Sequence, residues 1–442
     1  MHAPVVIIGA GWAGIAAGVE LARHGLPVTL LEAARQPGGR ARSVSTDGLT
    51  VDNGQHLLIG AYHATLALLQ RLGIDEGEVL LRLPLQLEVR TPRGPGLALQ
   101  APRLPAPLHL LVALLGARGL CWRDRYRALA RLPALMRWQG AEDMSVAALL
   151  EAHGQPEVLQ RLLWEPLCIA ALNVPTDQAS ARVFTRMLQE SFATRRAASD
   201  LLIPRRPLGE VIPAPGAEFI RRQGGEIRYG QPARRITPQD DGLGVETDTD
   251  TLRARDVVVA TAPVAAERLL ADFTETAAAL AALNALGDEP ITTVYLQYPA
   301  DRRLARPMIG LTGTLAQWVF DRGVAGQPGL IAVVISVGGN HMDMDNAALA
   351  ATVAGELATC FPALGRPDWT RVIREKRATF RCTPGSDALR PGHATTHPGL
   401  WLAGDYTDTG LPATLEGAVR SGLECAHAIL NRRRIESPHA EH

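Results

Sequence analysis

The sequence predicts an α/β fold with a central parallel sheet, and three observations predict it. An apolar run at residues 5–8 leads directly into a Gly-x-Gly-x-x-Gly motif, a second run at 28–31 ends in an acid, and a third at 400–403 leads into another glycine. Short continuous apolar runs are typical of strands that are covered on both faces of a parallel sheet. Because the third run lies near the opposite end of the chain, the sheet must collect strands from distant segments.

The glycine motif comes first and predicts a dinucleotide site. Gly9 permits a tight turn, Gly11 lets the backbone approach a pyrophosphate, and Gly14 lets the following helix pack against the strand. Glu32 follows Gly14 by eighteen residues, where an acid accepts the ribose hydroxyls and repels a 2′-phosphate. The helix N-terminus offers free amide groups to the phosphates. The other contacts predicted in this region are Ala10, Trp12, Ala13 and Ala33.

Two polar segments follow the second strand. In the first, paired glycines precede an arginine at Gly38, Gly39 and Arg40. The second, residues 52–60, reads Asp-Asn-Gly-Gln-His-Leu-Leu-Ile-Gly and places Gln55 and His56 in front of three aliphatic side chains. Buried polar groups cost several kcal/mol unless they find partners. The first segment is also compatible with an exposed basic turn, and His56 with a core histidine whose hydrogen bonds are satisfied.

The far end of the chain contains a long motif that begins at Gly404 and Asp405. Pro412 suits the first position of a helix. Small residues at 417, 418, 421 and 422 give that helix a face that another element can approach closely. Its N-terminal amides are expected to point at whatever lies above the ends of the strands, with Ala413 and Thr414 beside it.

Composition limits the classes of function. The 442 residues carry a formal net charge of zero, so nothing global attracts nucleic acid. Lys376 is the only lysine, which leaves little room for lysine-based covalent chemistry. The five cysteines are scattered and read as reduced thiols, and no charged leader precedes the first strand, so we expect a cytoplasmic protein without a metal site.

Residues 103–138 form a candidate membrane-interface segment. Residues 104–117 carry no charge, but about 20 apolar residues are needed to span a bilayer. From residue 103 to 137 the chain carries seven arginines against the single acid Asp124, interleaved with leucines and aromatic residues. This pattern is typical of a segment that lies in the membrane interface. An ordinary helical pair with a solvated arginine face fits it equally well.

Glu165 is a candidate catalytic acid, since it is the only charge between Arg161 and Asp177 and precedes a proline. Burial there would raise its pKa and let it carry a proton at neutral pH. The alternative is that Glu165 pairs with one of the 44 arginines. Asn173, at the end of the same segment, reads as a helix cap rather than a catalyst.

Taken together, these motifs resemble the amine oxidase and phytoene desaturase superfamily of flavoproteins. The segments 52–60, 164–173, 375–380 and 403–422 single out its squalene-associated FAD-dependent branch. The resemblance implies that FAD is the cofactor, that Arg40 lies against its diphosphate or flavin end, and that Asp405 binds its ribityl chain. It further implies that Asn53, Gly54, Gln55 and His56 lie beside the flavin ring.

The resemblance also implies an architecture. We expect a discontinuous Rossmann-type FAD-binding domain of the glutathione-reductase kind, formed by residues 1–62, 200–265 and 392–432. An α+β substrate domain of the amine oxidase and phytoene desaturase type would comprise residues 63–199 and 266–391, and 433–442 would be a polar tail.

The activity that the resemblance implies is reductive dehydroxylation of hydroxysqualene to squalene, in squalene and hopanoid biosynthesis. It requires a proton donor, for which Glu165 and His56 are the candidates, a dry isoprenoid cavity and an electron donor that the sequence does not identify. The partners are thus a lipid substrate and, peripherally, the inner face of the cell membrane. The alternatives are a carotenoid desaturase or isomerase and a flavin-free prenyl-lipid-binding scaffold; a single lysine argues against an amine oxidase.

Overall fold

The computed structural model describes residues 4–46, 48–93 and 96–436. The strands are β1 Val5–Ile8, β2 Val28–Glu32, β3 Ser43–Thr46, β4 Leu49–Asp52, β5 Leu58–Ile59, β6 Leu80–Leu83, β7 Gln86–Arg90, β8 Leu97–Gln100, β9 Leu201–Pro204, β10 Glu226–Tyr229, β11 Arg235–Gln239, β12 Gly242–Glu246, β13 Thr251–Ala254, β14 Asp256–Val259, β15 Asp288–Gln297, β16 Met308–Leu311, β17 Trp318–Asp321, β18 Leu330–Ser336, β19 Trp369–Phe380 and β20 Leu400–Leu402.

The α-helices are α1 Trp12–Arg23, α2 His63–Arg71, α3 Glu76–Val79, α4 Leu108–Leu115, α5 Trp122–Met136, α6 Val146–Ala152, α7 Glu157–Leu159, α8 Glu165–Leu172, α9 Ala181–Phe192, α10 Leu208–Val211, α11 Pro213–Arg222, α12 Pro263–Leu269, α13 Ala277–Ala285, α14 Asn346–Cys360 and α15 Leu415–Glu436. One π-helical turn, Gln160–Trp164, joins α7 to α8. Short 3₁₀ turns lie at Gly39–Ala41, Arg196–Ser199, Thr274–Thr276, Arg322–Ala325, Asn340–Met342, Pro362–Leu364 and Ser386–Leu389.

A five-stranded parallel sheet carries the glycine motif, in the order β10-β2-β1-β14-β20. Its strands come from the beginning, the middle and the far end of the chain, as the apolar runs predict. Helices α1, α11 and α15 pack beside it because their small residues allow close contact: a Cβ on Gly422 of α15 would lie 2.1 Å from the carbonyl oxygen of Ala13 in α1. The small-residue face of α15 therefore meets α1.

A seven-stranded sheet in the order β19-β15-β18-β17-β16-β7-β8 forms the second large layer. One of its faces packs against α14 in a separate apolar cluster. The other face carries the side chains of Tyr295, Trp318, Phe320 and Val334, which pack with Val51 and Leu57 from the segment around 52–60. The seven-stranded sheet thus packs against the segment that carries the predicted cofactor loop. The domain boundaries themselves stay a prediction.

Helices α4 to α9 build a third, mostly helical region. Within the described part of the chain, none of the helices combines the length and the hydrophobicity that crossing a bilayer requires.

The structure differs from the sequence-based expectation at the two ends of α15. The helix begins at Leu415 rather than at Pro412, because the Thr414 hydroxyl accepts the amide of Gly417 at 3.0 Å and thereby caps the first turn. At the other end, the helix continues to Glu436, since Arg432 and Arg433 both bind the buried carboxylate of Asp256. The rest of the predicted tail, 437–442, lies outside the described residues.

Candidate functional site

One large cavity, of about 930 Å³, brings most of the predicted site residues together. At one end it is lined by the glycine turns and by the carboxyl ends of β1, β2 and β14. At the other end its walls are aliphatic side chains of α4, α5, α8 and α9, together with one face of the seven-stranded sheet. The predicted cofactor contacts that line it are Gly9, Gly11, Trp12, Ala13, Glu32, Ala33, Gly39, Arg40, Asn53, Gly54, Gln55, His56, Gly404, Asp405, Ala413 and Thr414.

The glycines form a cradle that side chains would fill. Gly9 has φ +109°, and a Cβ there would lie 2.5 Å from the carbonyl oxygen of Ala260. The turn at Gly39 approaches Gly11 so closely that a Cβ on Gly39 would lie 3.1 Å from the Gly11 Cα. Two backbone turns without side chains therefore border the same end of the cavity, which fits a dinucleotide whose phosphates need close backbone approach.

Two predicted contacts, Ala10 and Gly14, act behind the cavity wall. The Ala10 amide donates to the Glu32 carboxylate at 2.7 Å, and the Ala34 amide donates to the second oxygen of Glu32 at 2.7 Å. A Cβ on Gly14 would lie 2.0 Å from the Gly9 carbonyl oxygen. Glu32 is therefore fixed at the end of β2 with lone pairs left for ribose hydroxyls, while Gly14 is required for packing.

Arg40 and Asp405 come from opposite ends of the chain and bind each other. The Arg40 guanidinium donates to Asp405 at 2.5 Å and to the carbonyl oxygen of Ala378 at 2.6 Å. The charge of Asp405 raises the pKa of Arg40 against the effect of burial. The alternative of an exposed basic turn is therefore wrong for Arg40, since its guanidinium is committed to the cavity wall.

The loop after Asp405 is held by a residue that the sequence analysis missed. Arg390 is buried and donates to the carbonyl oxygens of Asp405 at 3.1 Å, Leu411 at 2.7 Å and Thr407. A single arginine thus fixes the backbone that carries the far-end motif. Nothing in the local sequence distinguishes it from the other arginines.

The side chain of Gln55 faces a buried arginine. Arg322 donates to the Gln55 side-chain oxygen at 2.9 Å and lies 3.5 Å from the Asp52 carboxylate. Gln55 in turn donates to the carbonyl oxygen of His56 at 3.0 Å. The Tyr295 hydroxyl of β15 donates to the Asp52 carbonyl at 2.9 Å. The 52–56 loop is therefore fastened to the seven-stranded sheet by a buried ion pair and a tyrosine.

His56 lines the cavity and has a defined tautomer. Its Nδ1 lies 2.7 Å from the Gly54 carbonyl oxygen, which only accepts, so Nδ1 carries the proton and Nε2 is the remaining nitrogen. Burial lowers the pKa of His56, and the Arg40 charge adds to this, while the Gly54 carbonyl and Asp52 oppose it. Burial likewise raises the pKa of Asp52 against the Arg322 charge. Burial therefore favours the neutral form of His56.

The burial expected for Glu165 is wrong. The residue is exposed at the start of α8 and does not line the cavity, because the turn of α8 that faces the cavity presents Leu167, Ala170 and Ala171. Partial burial of the Glu165 carboxyl group, together with the charge of Asp177, raises its pKa. The alternative arginine pair is absent as well: no described residue forms an ion pair with Glu165.

Asn173 is a helix cap, as expected. It ends α8 in the left-handed conformation at φ 54°. Its amide donates to the Thr379 hydroxyl at 2.9 Å and accepts from the Val337 amide at 2.8 Å. All its strong contacts are thus structural.

One charged residue of the cavity that sequence reasoning overlooked is Glu375. It accepts a hydrogen bond from the Asn53 amide at 3.1 Å and lines the cavity. It lies in the segment 375–380, so its place in that motif was the available signal.

Comparisons with known proteins agree with this geometry. The family model for flavin containing amine oxidoreductases matches residues 12–430. The chain is 32% identical to hydroxysqualene dehydroxylase of Rhodopseudomonas palustris, over 97% of this chain and 99% of that protein. It is 27% identical to zeta-carotene desaturase of Synechocystis, over 98% of each chain. Among solved structures, cyclohexylamine oxidase of Brevibacterium oxydans is similar, with a TM-score of 0.70 at 19% identity, over 98% of this chain and 100% of that one.

Proposed function

This chain belongs to the flavin containing amine oxidoreductase family, and we propose that it is the member that reductively removes the hydroxyl group of hydroxysqualene to give squalene. It is an FAD-dependent oxidoreductase, and the glycine cradle, Glu32, Arg40 and Asp405 are the residues that would hold FAD. Their role in binding it is part of the proposal.

One observation carries the substrate class: a single cavity joins the cofactor cradle to a long aliphatic chamber. The chamber walls include Leu110, Leu114, Leu132 and Met136 from α4 and α5. Such walls suit a long isoprenoid chain and exclude water from a reacting centre. When bound and reduced, FAD supplies a hydride from its N5 position. The full-length identity to a hydroxysqualene dehydroxylase then selects the substrate within the isoprenoids.

The chain itself must supply the proton with which the hydroxyl leaves as water. His56 is the candidate that the geometry supports, because it borders the cavity and its Nε2 is free of the Gly54 bond. Protonated at Nε2, His56 would donate to the hydroxyl oxygen and be held by the opposing charge of Asp52. Glu165 lies outside the cavity and is not proposed as a donor.

The desaturase of Synechocystis supports a second candidate, oxidation of a polyene. The two functions run in opposite redox directions, so product analysis separates them. We expect dithionite-reduced holoenzyme to convert hydroxysqualene to squalene, and oxidised holoenzyme to leave zeta-carotene unchanged. The reverse pattern would establish the desaturase, and a preparation that binds isoprenoid without bound flavin would establish a binding scaffold. An amine substrate is disfavoured because the only lysine, Lys376, is exposed on β19.

We propose further that residues 103–138 contact the inner face of the membrane peripherally. Of the seven large apolar side chains exposed among the described residues, six lie between 104 and 126, and Trp122 and Tyr126 are 79% and 69% exposed. Leu108, Val112 and Leu115 form one outward stripe on α4, while its inner side lines the cavity. The neighbouring helix α5 carries exposed arginines at 123, 127 and 131, which suit anionic headgroups.

Vesicle binding tests this contact. We expect co-sedimentation of the holoenzyme with vesicles that contain phosphatidylglycerol, and its loss in a Trp122→Ser, Tyr126→Ser double variant. Ile435→Ser is the matched control because Ile435 is 77% exposed but lies at the end of α15. Equal binding by all three proteins would contradict the assignment of the surface.

A further inference from the structure

The floor of the cavity contains two aromatic residues to which the proposed reaction has so far given no role. Trp318 and Phe320 alternate along β17 and therefore point to the same face of the seven-stranded sheet. Both line the cavity, and both are buried, at 8% and 4% exposure. They belong to the same cluster as Val51 and Leu57, which flank the cofactor loop.

The sheet register fixes their position relative to that loop. On β15, Tyr295 reaches the Asp52 carbonyl, and a Cβ on Gly54 would lie 3.7 Å from the Thr293 hydroxyl, so the loop lies over this strand. β18 separates β15 from β17 in the sheet. Two strand spacings amount to roughly 10 Å, so the rings of β17 border the part of the cavity that the loop faces.

The neighbours of the pair leave room for its rings. Across β16 and β18, Trp318 pairs with Gly310 and Val334, and Phe320 pairs with Met308 and Ala332. A Cβ on Gly310 would lie 3.1 Å from the Trp318 ring, so glycine at that position allows the indole to lie where it does. The other side chains of this sheet that line the cavity are apolar or neutral, except Glu375 of β19.

The proposed reaction creates a charge that such a floor can stabilise. When the protonated hydroxyl leaves as water, the bonding electron pair departs with oxygen and the allylic carbon becomes cationic. The cation persists until the hydride forms the new C–H bond. The face of an aromatic ring attracts a cation, and the attraction is greatest in a site without water.

We propose that Trp318 and Phe320 are catalytic residues that hold the allylic cation of the substrate against their ring faces. The inference rests on the proposed function, because it assigns a role within that reaction. It gives a role to the two large aromatic side chains of the sheet that line the cavity beside the cofactor loop.

The test alters ring electronics without altering ring shape. Phe320 is replaced site-specifically by phenylalanines that carry one to four fluorine atoms, and the single-turnover oxidation of reduced holoenzyme by hydroxysqualene is followed. Each fluorine weakens the negative face of the ring, so we expect the rate to fall stepwise, by about tenfold or more over the series. The same series at Phe273, a buried ring outside the cavity lining, should leave the rate unchanged.

Trp318→Phe and Trp318→Leu extend the test. A cation-stabilising role predicts that phenylalanine retains much more of the rate than leucine, with squalene binding little changed in both. Rates that are independent of fluorination, or equal losses in Phe and Leu variants, would overturn the inference while leaving the proposed function standing. A wild-type enzyme that does not react with hydroxysqualene at all would overturn both.

Discussion

Removal of the buried Arg322 charge should expose how strongly the cofactor loop depends on it. In an Arg322→Met variant, the Asp52 carboxylate, which is 1% exposed, loses its ion pair at 3.5 Å, and Gln55 loses its partner at 2.9 Å. Breaking one side of a buried pair costs about 3–5 kcal/mol of unfolding free energy, because the remaining charge is left uncompensated. Asp52→Asn leaves the Arg322 charge unpaired. The asparagine keeps a side-chain oxygen for the Leu208 amide, which lies 2.8 Å from the Asp52 carboxylate in the wild-type protein. The double variant buries neither charge. We therefore expect its loss of unfolding free energy to be smaller, by roughly 2 kcal/mol, than the sum of the losses in the two single variants.

Urea unfolding of the four holoproteins at one fixed FAD concentration measures this coupling, since free cofactor itself shifts the native state. The exposed pair Arg235–Asp272, at 2.5 Å and outside the cavity lining, is the matched control and should show little coupling in the same cycle. If the Arg322 and Asp52 losses add within about 0.5 kcal/mol, the buried pair does not hold the loop. Flavin absorbance should also shift in Arg322→Met, because the loop borders the cofactor end of the cavity.

Three further predictions concern the cofactor, the proton donor and acid stability. Gly14→Ala should abolish flavin loading, because its Cβ would lie 2.0 Å from the Gly9 carbonyl oxygen; Gly355→Ala in α14, with nothing within 4 Å of the added Cβ, is the control for FAD absorbance after purification. His56→Phe should remove the rise in single-turnover rate that wild type shows as pH falls through the lowered pKa of His56, whereas Glu165→Gln should keep the wild-type profile. Burial opposes the charge of Glu20, but Arg23, Arg71 and His427 lower its pKa below 4.5. The contribution of the Glu20 carboxylate to folding stability is therefore present above pH 4.5 and is lost as the pH falls through the folded pKa. In acid unfolding, Glu20→Gln should therefore lose stability less steeply than wild type.

The parallel sheet could be predicted from sequence because its signals are local. Most of its strands are short apolar runs, and Gly14 is required by its close contact with nearby Gly9, whereas the clash at Gly9 is with the distant Ala260. The pairing of Arg40 with Asp405 was not predicted, since 365 residues separate them and the resemblance assigned each of them only to the cofactor. Most residues predicted to contact the cofactor line one cavity, because sequence motifs encode backbone geometry.

The parts that escaped prediction depend on tertiary contacts. Arg322 and Arg390 are two of 44 arginines, and only the fold shows that they are buried against Gln55 and against the far-end loop. The prediction for Glu165 was wrong because its charge-poor surroundings in the sequence indicate burial but do not indicate which side of α8 faces the cavity. The aromatic pair on β17 reads in sequence as ordinary core.

The most direct test of the proposed chemistry is an anaerobic single turnover. The bound flavin is reduced, one equivalent of hydroxysqualene is added, and flavin absorbance is followed while products are extracted and counted. If the proposed dehydroxylation is right, the oxidised flavin spectrum returns with one squalene formed per flavin. A flavin that stays reduced while hydroxysqualene is recovered unchanged would contradict it.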